Sequence, residues 1–183
     1  SLAGSTSDKI DTSWKNHTLQ TTLLFRTLFL ADSDLQTVQP DLAESYELSD
    51  DGLVYTIKMK DGLKWSDGED LTAEDVAFSI KANLKASVTN GIYTTAFMYI
   101  EGAQEWKDGA DDLSGLTVDG NTITITLTTP YATFIPVLAQ FDILPEHVLR
   151  DVDPLEMHNN EFWSKPVCSG MYMVEEHNAG NYY

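Results

Sequence analysis

Two stretches of alternating apolar and polar residues predict β-hairpins. In the first, apolar side chains alternate with polar ones over residues 46–48 and 54–59, on either side of an Asp-Asp-Gly turn. In the second, the apolar segment 116–118 leads through an Asp-Gly-Asn turn into the strict alternation of residues 122–127. Strand side chains point alternately to opposite faces, and Gly and Asn accept the backbone angles of tight turns. Each stretch therefore predicts an antiparallel pair of strands.

The period lengthens between the two hairpins, which predicts a helix. One face of this helix carries apolar residues four positions apart: Val76, Ile80 and Leu84. Thr72 can cap its start, and Asp75 three residues later completes a variant of the capping box. Acidic residues also favour the positive end of the helix dipole. We expect the helix to end at about Lys85 or Ala86, with its apolar face on a core.

The remaining segments carry weaker patterns. We expect helices at Thr18–Leu30, Gly102–Lys107 and Tyr131–Leu138 and after Pro145, and strands at Leu63–Trp65, Phe141–Leu144 and Met171–Glu175. Residues 93–99 are aromatic without a regular period. Strands and helices interleave without the strand–helix–strand alternation of a doubly wound sheet, so we predict an α+β fold.

Net charge restricts the kinds of partner. The chain has 29 acidic and 11 basic residues, a formal net charge of −18. Nucleic-acid binding rests on Lys and Arg side chains that neutralise phosphates, so we predict no nucleic-acid partner. Hydrophobic residues make up 42% of the chain, enough to build a core, and no apolar stretch is long enough to cross a bilayer.

Motifs for catalysis and metal binding are weak. Cys168 is the single cysteine, and nothing local supports a thiol–imidazole pair with His147, His158 or His177. A lone thiol more often packs as a small apolar group. The histidines lack metal-ligand spacing, and adjacent carboxylates point apart on a strand. We therefore predict no catalytic residue, no metal ligand and no cofactor.

Four motifs follow one another closely in the first half of the chain: PDLAESY at 40–46, DDGLVYTIKMK at 50–60, GLKWSDG at 62–68 and LTAEDVAFS at 71–79. Two more, LPEH at 144–147 and KPVCSGMY at 165–172, lie further on. Together they resemble the family 5 solute-binding proteins of ABC importers for oligopeptides, dipeptides and nickel. The sequence departs from the family pattern in the last motif, at Cys168, Ser169 and Met171.

The resemblance implies a two-lobed clamshell with the type II periplasmic-binding-protein fold, of which this chain would form an N-terminal part. Residues 1–36 and 164–183 would belong to the first lobe. Residues 37–163 would form an extra α+β subdomain beside it, and the second lobe would lie outside this sequence.

The resemblance also implies a receptor rather than an enzyme. Such a receptor would capture oligopeptides outside the cell, as a surface lipoprotein or a periplasmic protein, and deliver them to an ABC permease. We expect a monomer, with any signal segment outside this chain. Ligand contacts are expected from Trp14, Lys15, Asn16 and His17. Tyr93, Gln140 and Phe141 are expected to reach the edge of the cleft, and Ser169 is expected near the hinge-side strand. A nickel complex, a sugar, or an adhesin or sensor role on the same fold remain alternatives.

Overall fold

A computed structural model describes residues 23–31, 38–86 and 91–174. Its strands are Phe29–Ala31 (β1), Val38–Pro40 (β2), Ala43–Leu48 (β3), Val54–Met59 (β4), Leu116–Asp119 (β5) and Thr122–Thr126 (β6). Its α-helices are Ala73–Lys85 (α1), Gly91–Phe97 (α2), Ala103–Lys107 (α3), Phe134–Leu138 (α4) and Glu146–Leu149 (α5). Short 3-10 helices follow at Met157–Asn159 and Glu161–Ser164. No helix of the described part is long and apolar enough to span a membrane.

The two predicted hairpins are confirmed and join into one antiparallel sheet of order β3-β4-β6-β5. β4 pairs with β6 in a register that sets Ile57 opposite Ile123 and Tyr55 opposite Ile125. All four of these side chains are buried. One face of the sheet therefore carries the alternate apolar residues, as the period of two requires. A separate pair, β1 with β2, is also antiparallel.

Helix α1 begins as its capping residues predict. The Thr72–Asp75 capping box is present, and the Thr72 N–H donates to Asp75 Oδ2 at 2.8 Å. Asp75 is itself buried and accepts two more bonds, from Trp65 Nε1 at 3.3 Å and from the Glu146 N–H at 2.8 Å. One carboxylate thus fastens the start of α1, the indole of Trp65 and the start of α5.

The core between the sheet and the helices is strongly aromatic around Phe97. Its ring lies 4.8 Å from that of Phe141, 6.4 Å from Phe134 and 6.5 Å from Tyr93, measured between centroids. The contacts with Phe141 and Phe134 are edge-on and the one with Tyr93 is stacked, and such ring pairs add to the stabilisation that burial of each ring provides. Phe97 and Tyr93 belong to α2, so this helix contributes its buried side chains to the aromatic core.

Four predicted elements are absent or only partly formed in the described residues. Of the helix expected at 18–30, residues 23–24 are helical, but residues 29–30 belong to β1, because the carbonyl oxygen of Leu28 accepts hydrogen bonds from Asp41 and Ala43. No strand forms at 141–144 or at 171–174. The segment 63–65 has only one β-bridge, between Lys64 and Asp70.

The irregular region expected at 93–99 was also wrong, since most of it is α2. The α+β class itself is confirmed, as is the helix at 103–107. Helices α4 and α5 lie within the predicted regions, but each is shorter than the pattern indicated.

Candidate functional site

A groove of about 610 Å³ opens where three distant chain segments meet. Its lining comes from the segment 23–30 with Asp41, from the loop 139–142 after α4, and from Gly170 and Met171. The walls are mainly apolar, and a few polar groups converge on the space. Such a combination is typical of small-molecule and peptide sites, where apolar surface gives affinity and polar groups fix orientation.

The floor of the groove is held by backbone bonds between residues far apart in sequence. The carbonyl oxygen of Leu24 accepts from the N–H groups of Ser169 and Gly170, at 3.0 and 2.8 Å. The Arg26 N–H donates to Ser169 Oγ at 2.9 Å, and the Ile143 N–H donates to the Arg26 carbonyl oxygen at 3.2 Å. Residues 24–26 are therefore hydrogen-bonded to residues 169–170 and to Ile143.

Gly170 is required at this crossing for a steric reason. A Cβ atom there would collide with the carbonyl oxygen of Leu23 and would lie 2.9 Å from the carbonyl carbon of Leu24. Cβ atoms essentially never come this close to backbone atoms, so a side chain here would force the neighbouring backbone to move. The close approach of the two segments therefore depends on a residue without a side chain.

The loop on the opposite wall is positioned by α1 and α2. The Leu144 N–H donates to Ser79 Oγ of α1 at 2.8 Å, and the Tyr93 hydroxyl donates to the Gln140 carbonyl oxygen at 2.5 Å. Tyr93 is buried, and this burial, followed by the nearby Asp142, raises the pKa of its hydroxyl, which therefore stays protonated as a donor. The wall is fixed to the core rather than free to drift.

Two charged groups of the groove neutralise each other. Arg26 Nη2 lies 2.5 Å from Asp41 Oδ1, and Arg26 Nε lies 3.0 Å from the same oxygen. The Arg26 side chain is one-third exposed, whereas Asp41 is more enclosed. This pair links the 23–31 segment to the residue that follows β2.

Asp142 is the other acidic group of the groove, and its situation is different. Only 6% of the residue is exposed, and its Oδ2 atom is buried without a hydrogen-bond partner in the described part of the chain. Burial raises the pKa of this carboxyl group to about 7, because the charged form loses its hydration.

The structure brings together some of the residues predicted to contact ligand. Gln140 is exposed and lines the groove, and Ser169 is buried directly beside Gly170 under its floor. Tyr93 and Phe141 lie in the aromatic core behind the wall, with ring centroids 5.3 Å apart. Trp14, Lys15, Asn16 and His17 fall outside the described residues. Direct ligand contact remains a prediction for all eight.

Arg26, Asp41 and Asp142 were not among the predicted site residues. Asp142 carried a readable signal, because it is the lone charged residue in the apolar run 141–144. Such a residue has to find a partner or face a polar space. Arg26 stood in a segment interpreted as an apolar helix, and nothing local indicated that it would meet Asp41.

Cys168 has the environment of a packing residue. Its thiol is buried and donates to the Pro166 carbonyl oxygen at 3.2 Å, and burial raises its pKa to about 11. Thiolate is the nucleophilic form, so this environment disfavours reactivity. His147 contacts Asp67 instead, at 2.8 Å. Among the described residues, no three His, Cys, Asp or Glu side chains converge in a way that could hold a metal ion.

Comparison with known proteins places these features in context. The family model for bacterial extracellular solute-binding proteins, family 5 (middle part), matches residues 37–183. A Brucella ovis protein that bears the name of an ABC transporter peptide-binding protein is 28% identical over 159 residues. That match covers 86% of this chain and 28% of the relative.

Solved structures agree with the fold. The oligopeptide-binding protein AppA from Bacillus subtilis, in complex with a nonapeptide, matches with a TM-score of 0.79 and 26% identity, over 98% of this chain and 34% of AppA. NikZ from Campylobacter jejuni, in complex with Ni(L-His), matches with a TM-score of 0.67 and 29% identity, over 86% of this chain and 28% of NikZ. The chain thus spans about a third of the length of these proteins. They are solute-binding proteins and not enzymes, which confirms the non-enzymatic prediction.

Proposed function

Because the chain belongs to the family 5 bacterial extracellular solute-binding proteins, we propose that it is part of a receptor that captures oligopeptides outside the cell. The receptor would deliver them to the permease of an ABC importer. The observation that carries the peptide assignment is the groove, in which apolar walls surround Arg26, Asp41, Gln140 and Asp142. The side chains of a peptide can pack against the apolar walls, and its polar backbone groups can bond to the polar residues of the groove.

The relatives support the same solute class. AppA was solved with a bound nonapeptide, and the Brucella ovis relative is named for peptide binding. In this proposal, residues 1–36 and 164–183 belong to the first lobe and 37–163 to the subdomain beside it. The groove lies where segments of both meet, since Gly170 and Arg26 come from the first set and Gln140 from the second. The full receptor would act as a monomer, periplasmic or attached to the cell surface by a lipid.

A metal complex is the second candidate, and the similarity to NikZ with Ni(L-His) favours it. In such a complex the chelating amino acid supplies metal ligands, so the protein needs polar groups for the chelator rather than a histidine cluster. The groove meets that requirement as well, through Arg26 and Asp142. Apolar walls of this extent nevertheless suit peptide side chains better than a small charged chelate.

Calorimetric titration of the intact protein with pooled short peptides tests the proposal, together with mass spectrometry of ligand retained through purification. We expect measurable heat with at least one pool, and several-fold weaker binding in Gln140→Ala. Gln104→Ala is the matched control, because Gln104 is exposed in α3 and its side-chain amide donates to the neighbouring carboxylate of Asp108. Absence of heat with every pool, and of any retained peptide, would refute the peptide assignment. Heat with a nickel–histidine complex alone would favour the second candidate.

A further inference from the structure

Asp142 is the one feature of the groove that the fold does not explain. A buried carboxylate is expected to be paired, hydrogen-bonded or neutral, because the loss of hydration is costly. Asp75, which is equally buried, follows this rule with three N–H donors. Asp142 has an exposed fraction of only 6%, and its Oδ2 has no partner among the described residues.

The cationic side chain that lines the groove, Arg26, is already paired with Asp41. Arg26 is the only Lys or Arg among the described residues that line the groove, and it binds Asp41 with both Nε and Nη2. Tyr93, on the core side, donates its hydroxyl proton to the Gln140 carbonyl oxygen and brings no positive charge. The lining contributed by the described residues therefore holds one more acidic group than basic groups, and the excess belongs to Asp142.

We propose that Asp142 is the acceptor for a protonated amine of the ligand that occupies the groove, an inference that rests on the proposed receptor function. The amine would approach from the groove and pair with the carboxylate, while its alkyl carbons contact apolar walls such as Leu30 and Phe25. Gln140 lines the same groove, and its side-chain amide belongs to a group whose oxygen is a neutral acceptor for N–H donors.

An organic cation fits this donor set better than a metal ion. Calcium and magnesium require several oxygen ligands, and transition metals prefer imidazole or thiolate. Here Asp41 is committed to Arg26, which leaves a single carboxylate. One carboxylate with neighbouring neutral acceptors is enough for an ammonium group, whose three donors need only three acceptors.

The ionisation of Asp142 gives the proposal a second measurable consequence. Because burial raises the pKa of the free carboxyl to about 7, much of the unliganded protein carries a proton there at pH 6. An ammonium group pairs with the ionised form, so its binding should release that proton. Among the described residues, the other charged groups that line the groove with Asp142 are Arg26 and Asp41, and the titratable hydroxyl of Tyr93 lies nearby in the core.

Calorimetry on the intact protein with four probes tests the assignment. The probes are trialanine with a free amino terminus, its N-acetyl form, N-acetyl Ala-Lys-Ala and N-acetyl Ala-norleucine-Ala. The first pair isolates a terminal amine and the second pair a side-chain amine. We expect the amine-bearing member of one pair to bind more tightly than its amine-free partner. Asp142→Asn should weaken the binding of that amine-bearing probe alone, by about 10- to 100-fold. Asp119→Asn, at the exposed end of β5, is the matched control of charge.

Repeating the titrations at pH 6 in two buffers of different ionisation enthalpy counts the released protons. The wild type should release up to about one proton per bound amine, and Asp142→Asn should release none. Equal loss of affinity for amine-bearing and acetylated probes in Asp142→Asn would overturn the amine site and leave the receptor intact. So would unchanged proton release. Failure of the wild type to bind any of the four probes would overturn the amine site, and the peptide assignment would fall with it only if the peptide pools also gave no heat and no peptide were retained through purification.

Discussion

Replacing Asp75 by alanine should destabilise the protein far more than its place in a helical first turn would indicate. Its carboxylate accepts from the Thr72 N–H and the Glu146 N–H, each at 2.8 Å, and from Trp65 Nε1 at 3.3 Å. The residue has an exposed fraction of 3%, so water has little access to the donors that the substitution would leave. The change removes a helix cap and two long-range links at once.

The size of the effect follows from the three abandoned donors. A buried donor left without a partner costs about 1–3 kcal/mol, and the loss of a cap alone costs about 0.5–2 kcal/mol. The indole bond is long, and some donors will be reached by water after local relaxation. We therefore expect Asp75→Ala to lower the free energy of unfolding by about 3–5 kcal/mol. Asp75→Asn keeps one acceptor oxygen and should lose about 1–3 kcal/mol.

Urea unfolding followed by tryptophan fluorescence measures the loss, and hydrogen exchange of residues 142–150 locates it. Glu74→Ala is the control, because Glu74 is exposed in the same helical turn. Its removal forfeits only the interaction with the helix dipole, about 0.3–1 kcal/mol. If Asp75→Ala and Glu74→Ala shift the midpoint equally, or if Glu146 keeps its protection in Asp75→Ala, the linking role of Asp75 is refuted.

Three further substitutions test other parts of the structure by the same unfolding assay. Gly170→Ala should lower the free energy of unfolding by about 1–3 kcal/mol, because the added Cβ meets the backbone of residues 23–24. Gly91→Ala is the control and should leave stability unchanged, because its Cβ would enter open space. Equal effects would contradict the close approach of residues 23–24 and 170. Phe97→Ala should cost about 3–5 kcal/mol as the centre of the aromatic core, and a loss below about 1 kcal/mol would contradict that position. Burial raises the pKa of Asp142 from 3.8 to about 7, so the folded state binds the extra proton and the free energy of unfolding falls as pH rises between those values. Asp142→Asn should remove this fall and raise the free energy of unfolding by up to about 4 kcal/mol at pH 8. Parallel pH profiles of the two proteins would refute the assignment.

Elements whose hydrogen bonds are local could be predicted from the sequence. The two hairpins follow from alternation and turn residues, and α1 follows from Thr72, Asp75 and the spacing of Val76 and Ile80. In each case the residues that specify the element lie within or beside it. The α+β class follows from the order of these elements, and the motifs at 40–79 carried the family resemblance.

Elements whose partners are distant in sequence could not be predicted in this way. The apolar run 141–144 has the composition of a strand, but its N–H groups bond singly to the Arg26 carbonyl oxygen and to Ser79 Oγ. No ladder results. Helix α2 was missed although Tyr93, Ala96 and Phe97 share a buried face, since seven residues give little room for a period to show.

The candidate site was predicted only in part for the same reason. Gln140 and Ser169 were placed near a cleft through the family resemblance, and the structure sets the first on the groove and the second under its floor. The Arg26–Asp41 pair joins residues from two different segments, and its formation depends on the folded backbone between them. The burial of Asp142 Oδ2 without a hydrogen-bond partner among the described residues is likewise a property of the packed molecule.

The crossing at Gly170 has a consequence for the order of folding. The hydrogen bond between the Arg26 N–H and Ser169 Oγ spans 143 positions of sequence, and closing so large a loop is entropically costly before other contacts have shortened it. The β3–β4 hairpin and α1 need only near neighbours and can form as the chain emerges from the ribosome. The floor of the groove must wait for residues 169 and 170. Until then Leu24 and Phe25 lack the segment that packs against them, so these apolar side chains stay exposed in the nascent chain.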